Sequence, residues 1–139
     1  MQVVTKKISF STSGDCDIVE ITPRIYERLR ETSLSTGIIN IFVPGATGAV
    51  TTVEYEPGLI NDLRNFFGEL IPETGRYFHD SHIARGNAHS HLRASLVGPS
   101  LDIPFEGGAL QLGTYQQVIF IDFDNRPRNR DVVLKIIGE

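Results

Sequence analysis

The chain has 139 residues, 40% of them apolar, a net charge of −4 and a single cysteine. That length suits one domain over residues 1–139, with a core large enough to need no disulfide or metal staple. The charge argues against a nucleic-acid partner, no apolar run reaches the length of a membrane helix, and the lone Cys16 suits a reducing cytoplasm.

Residues 3–11 alternate polar and apolar side chains, which marks a strand and not a secretory leader. Residues 16–21 follow a Ser-Gly-Asp turn, so the two segments are expected to pair as a hairpin. Thr22 before Pro23 reads as a helix N-cap with proline at the first helical position, and Ile25 and Leu29 then repeat at helical spacing. Residues 38–43 form an apolar run of strand length, expected at the centre of a sheet. The turn Val43-Pro44-Gly45-Ala46-Thr47-Gly48 lacks the lysine of a phosphate-binding P-loop and reads as a structural turn able to line a site. Residues 49–55 are rich in Val and Thr and predict the next strand. Pro57 opens a helix carrying Leu59, Ile60, Leu63, Phe66 and Phe67.

Residues 71–86 show no period and predict a long ordered loop or a few short turns. Asn87 is placed to cap a helix over 88–97, which Gly98-Pro99 stops. Strands follow around 101–103, 110–112, 116–123 and 130–137. Arg126, Arg128 and Arg130 read as a solvated hairpin tip, or as a local anion or subunit contact. This order lacks the βαβα alternation of a parallel sheet and predicts an α+β fold, two or three helices packed on a mostly antiparallel sheet.

The chemistry concentrates between residues 79 and 100. His79, His82, His89 and His91 fall within thirteen positions, beside Asp80, Asn87, Arg93, Ser95 and Ser100. Three or four ligands drawn from His79, Asp80, His82, His89 and His91 have the right chemistry for a divalent metal such as zinc. In a helix, however, residues two apart point about 200° apart, so His89 and His91 would not share an ion. Asn87, Arg93, Ser95 and Ser100 also fit an anion site, since the start of the 88–97 helix presents free N–H groups. Glu54, at a strand end, is a candidate ligand or general base. For any one of these side chains, capping, packing or a surface ion pair is the blander reading; their density favours a site.

Two segments resemble the YjbQ-like family, whose members are often described as secondary thiamine-phosphate synthases. One runs Asn87-Ala88-His89-Ser90-His91-Leu92-Arg93-Ala94-Ser95-Leu96-Val97-Gly98-Pro99-Ser100-Leu101. The other runs Gly107-Gly108-Ala109-Leu110-Gln111-Leu112-Gly113-Thr114-Tyr115-Gln116-Gln117. The matching polar positions are His79, Asp80, Asn87, His91, Arg93, Ser95, Ser100, Thr114 and Gln116. The chain departs from the family pattern at four places. Position 89 is often acidic in relatives, and Tyr115 stands where tryptophan is usual. A His-Thr-Thr/Ser-Ala-Ala segment is replaced by Gly45-Ala46-Thr47-Gly48-Ala49. The Asn-Glu that ends the following strand becomes Val53-Glu54.

The resemblance implies a cytoplasmic homotrimer with its site near a subunit boundary, acting on a phosphorylated small molecule. The implied reaction joins a pyrimidine pyrophosphate to a thiazole phosphate. In that reading His91, Glu54 and Asp80 are catalytic, while Asn87, Arg93, Ser95, Ser100, Thr114 and Gln116 bind substrate. His79, His82, His89 and His91 are the candidate ligands for a divalent metal, zinc or magnesium. The competing reading is a non-enzymatic oligomer that binds a metal or an anion.

Overall fold

The computed structural model describes residues 1–82 and 84–139. The strands are β1 (Gln2–Thr12), β2 (Asp17–Glu20), β3 (Thr36–Phe42), β4 (Gly48–Glu54), β5 (Ser100–Glu106), β6 (Ala109–Leu110), β7 (Gln116–Asp122) and β8 (Arg128–Gly138). The helices are α1 (Thr22–Arg30), α2 (Pro57–Leu70) and α3 (Ala88–Val97), with a 3-10 turn at Phe78–Asp80. One sheet has the order β1-β8-β3-β5-β6 and the other β2-β7-β4, and all the pairings are antiparallel. The expected α+β class holds, with two sheets in place of one.

The layering follows from alternation along each strand. In β8, Val132, Leu134 and Ile136 are buried while Asp131, Lys135 and Ile137 are exposed, as a sheet covered on one face requires. β7 is apolar from Val118 to Ile121 because that stretch is buried on both faces. Val118 and Phe120 pack into the core between the sheets with Ile39, Ile41 and Leu134, while Ile119, Ile121 and Phe123 pack beneath α2 and α3 with Ile60, Phe67 and Ala94. The order of layers is five-stranded sheet, three-stranded sheet, then α2 and α3, while Ile25 and Leu29 of α1 join the core between the sheets. Among the described residues nothing covers the outer face of the larger sheet, and Val3, Ile38, Phe42 and Ile137 stand exposed there.

The expected β1–β2 hairpin does not form. β1 pairs with β8 and β2 with β7, in different sheets. The reason lies in the turn: Gly14, Asp15 and Cys16 all have positive φ, which swings the chain across the sandwich. Gly14 is obligatory there, since a Cβ would stand 2.4 Å from the Arg126 carbonyl oxygen. The 44–47 and 123–127 segments also cross between sheets, so three crossings meet at one end of the subunit. Thr22 does not cap α1; its hydroxyl accepts the Val118 N–H at 2.8 Å, tying α1 to β7. β3 is central as expected, but of the 38–43 run only Ile39, Ile41 and Val43 are buried.

α2 begins on Glu56, whose carboxylate accepts the N–H groups of Gly58 at 2.7 Å and Leu59 at 2.8 Å. These bonds hold its pKa below the ordinary glutamate value of 4.5. A lowered carboxyl pKa contributes stability above the unfolded value and loses it as pH falls through the folded value. Glu56→Ala is therefore expected to lower the melting temperature at pH 7. That difference should close as the pH is taken down from 4.5, measured by circular dichroism melts of both proteins.

Candidate functional site

The three crossings are held by buried polar groups. Asp122 is 0% and Arg130 4% exposed. Arg130 donates from Nε to Asp122 Oδ2 at 2.7 Å and from Nη2 to Oδ1 at 2.8 Å, and Nη2 also donates to the Thr47 hydroxyl at 2.8 Å. Thr12 donates to Asp122 Oδ2 at 2.5 Å, and the Asp124 N–H donates to Oδ1 at 3.0 Å. Asp124 accepts from Thr47 and pairs with Arg128. The solvated hairpin tip expected of Arg128 and Arg130 is thus a seam. β7 and β8 belong to different sheets, so the residues joining them cross the interior.

Beside this seam lies the N-terminal end of α3. Asn87 occupies the cap position without a side-chain cap bond; the Asp80 carboxylate accepts the Ala88 N–H at 3.0 Å instead. Gly86 permits this approach, because a Cβ there would fall 2.0 Å from Asp80 Oδ1. The Asn87 amide oxygen is freed to face His79 Nε2 at 3.1 Å. His79 and His91 meet edge to face, ring centroids 4.9 Å apart. Asn125 secures the loop by donating to the carbonyls of Arg85 and Gly86, each at 3.2 Å.

His91 lines two cavities. The larger, about 430 Å³, is walled by Tyr77, Phe78, His79 and Leu92, and Phe78 is 99% exposed. The smaller, about 150 Å³, is walled by Gly45, Ala46, Gly48 and Ser95. The arrangement offers aromatic and apolar surface on one side of an imidazole pair and small residues with a hydroxyl on the other. It suits a ligand with a flat ring and a compact polar group.

Helical geometry separates the remaining candidates. His89 points inward from α3 and is 2% exposed. Its Nδ1 has no partner among the described residues, and burial first, then the charge of Arg93, hold its pKa below the ordinary histidine value. His82 is exposed in the loop. Among the described residues no three of His, Cys, Asp and Glu gather as a metal would require, so one chain offers the His79–His91 pair and not a four-histidine centre. Arg93, 7% exposed, turns from the cavities and donates from Nε and Nη2 to the Ile71 carbonyl, at 2.9 and 2.7 Å. It closes the C-terminus of α2, whose last carbonyls need donors.

Glu54, Thr114 and Gln116 lie elsewhere. Glu54 pairs in register with Gln116 at the far end of β4. Six residues of strand, at about 3.3 Å each, put it about 20 Å from Gly48. Gln116 accepts the Gly113 N–H at 3.0 Å and donates to Thr52 at 3.0 Å, shaping the turn that holds the exposed Thr114. Ser100 accepts from Asn40 at 2.8 Å on the outer sheet face. Sequence reasoning missed Arg130 as a buried group near the site; its alternation with Val132, Leu134 and Ile136 was the available signal.

A family model described as UPF0047 protein YjbQ-like matches residues 6–139. A UPF0047 protein of Methanocaldococcus jannaschii is 36% identical over 96% of this chain and 94% of its own length. A YbjQ-like protein of unknown function from Sulfolobus solfataricus P2 superimposes with a TM-score of 0.93 at 29% identity, over 99% of both chains. A hypothetical protein of Aeropyrum pernix K1 does so with a TM-score of 0.90 at 32% identity, over 98% of this chain and 99% of that one.

Proposed function

The chain belongs to the YjbQ-like UPF0047 family, and from that premise we propose that it is an oligomeric enzyme acting on a phosphorylated small molecule, of thiamine-phosphate synthase type. The observation that carries this reading is His91, paired with His79, standing between a ring-sized cavity and a small one walled by Gly45, Ala46, Gly48 and Ser95. In the proposed reaction the thiazole nitrogen's lone pair closes on the methylene carbon of the pyrimidine pyrophosphate. The C–O bond to pyrophosphate breaks and the leaving group departs with the electron pair. His91 donates an N–H to the departing oxygen, and Asn87 and His79 set the angle of its ring.

A divalent ion would steady the leaving group's charge. Among the described residues of one chain only the imidazoles of His79 and His91 converge, so these do not complete a metal site, and no step is routed through one. Eight of the candidate residues fall into two groups at opposite ends of β4, with His79, Asp80, Asn87, His91 and Ser95 at one and Glu54, Thr114 and Gln116 at the other. A second copy can bring them together, and the exposed Val3, Ile38, Phe42 and Ile137 supply apolar surface for assembly. The proposed assembly is the homotrimer implied by the resemblance.

Purified protein supplied with the pyrimidine pyrophosphate and thiazole phosphate should release pyrophosphate, and His91→Ala should lower the rate at least about a hundredfold, the usual scale for losing an acid–base group. No release from the wild type, or equal release from both proteins, would sink the reading. Mixing His91→Ala with Glu54→Ala chains tests the shared site. Random assembly leaves one boundary in four with both residues intact, so activity should recover to about a quarter of wild type. Failure to recover would place the two residues in separate functions.

A further inference from the structure

We infer that the small cavity beneath the 44–48 turn is a seat for a phosphoryl group, and that Arg130 is its buried cationic donor; this rests on the reading of the protein as an enzyme of phosphorylated substrates. Of the three guanidinium nitrogens, Nε and Nη2 are committed to Asp122 and Thr47, and Nη1 makes no hydrogen bond among the described residues. Nη1 stands 3.4 Å from where a side chain on Gly45 would begin, and Gly45 is a wall of the cavity. A guanidinium clamped on two sides is a donor already aimed, so a ligand oxygen meeting Nη1 orders no long side chain on binding.

The rest of the wall is consistent with an anion. The N–H groups of Gly45, Ala46 and Thr47 donate to no group among the described residues, a run of free donors in a turn. Ser95 and His91 face the cavity from α3, and no carboxylate among the described residues lines it. The volume, about 150 Å³ against about 430 Å³ next door, admits a compact tetrahedral group and leaves the ring to the larger space. Gly45 has φ +127°, and the room that a side chain would take beside Nη1 stays open.

The test is binding of inorganic phosphate and pyrophosphate to the intact protein by isothermal titration calorimetry, with melts to confirm folding. Wild type should bind, while Ser95→Asp, which adds a negative charge at an exposed helix position, should bind at least tenfold more weakly. Arg130→Lys should show the same loss, and if it does not fold, Ser95→Asp decides alone. Absence of binding to the wild type, or undiminished binding to Ser95→Asp, overturns the seat. Phosphate binding without turnover of any phosphorylated substrate would defeat the enzyme reading and keep the seat. Turnover that is indifferent to both substitutions would keep the enzyme and remove the seat.

Discussion

Asp122→Ala is expected to destabilise the fold by about 3–5 kcal/mol, because it strands a buried guanidinium without its counter-charge. Asp122 is wholly buried and accepts four hydrogen bonds, two from Arg130, one from Thr12 and one from the Asp124 backbone. Removing it orphans Arg130 at the point where all three sheet crossings meet. The loss should therefore exceed that of a surface ion pair, for which about 0–1 kcal/mol is usual. The pair need not be worth that much in itself. The double replacement Asp122→Leu with Arg130→Met removes both charges, and it should regain most of the loss in equilibrium urea unfolding. A single-variant cost below about 1 kcal/mol would show that water reaches the guanidinium.

Phe120→Ala should cost about 3–5 kcal/mol by emptying the space between the sheets. Its ring meets Phe10 edge to face at 5.2 Å, and the Arg130 guanidinium lies 5.8 Å from its centroid. The same ring explains why position 48 is glycine: a Cβ there would come within 2.7 Å of Phe120 Cζ. Gly48→Ala should accordingly destabilise by about 1–3 kcal/mol through overpacking. In a Phe120→Leu background, where the clashing ring atoms are gone, the same change should cost much less. Denaturant unfolding of the four proteins measures the coupling, and an unchanged cost in the leucine background would refute the proposed contact.

The proposed phosphoryl seat and the stability of the seam share one residue. Arg130 is held so firmly because Asp122 and Thr47 take two of its nitrogens, and the third is left pointing at the turn. A buried pair costs desolvation that apolar residues would avoid. Its retention here is intelligible if the fixed donor is used, and the phosphate titration examines that link.

Local chemistry made several elements legible before any fold was known. Pro57 and the Leu/Phe stripe predicted α2, Gly98-Pro99 marked the end of α3 at Val97, and the alternation of residues 130–137 marked β8. The family was legible too, because its motifs are runs of neighbouring residues. What failed was pairing. The 3–11 and 16–21 segments look like a hairpin in any local reading, and the left-handed turn at Gly14–Cys16 sends them to different sheets. Arg130 looked solvated for the same reason: whether a residue after a turn is buried depends on which sheet the chain enters.

The histidine-rich segment shows the division most plainly. By itself the sequence determined that His89 and His91 part company on a helix, since 100° per residue follows from backbone geometry. Only the tertiary structure decided that His91 meets His79 and that Arg93 turns to the Ile71 carbonyl. It also decided that Glu54 lies at the far end of the strand whose start walls the small cavity. Those outcomes depend on contacts between residues distant in the chain, set by burial of both faces of β7 and by three crossings at one end of the sandwich. No local spacing encodes them.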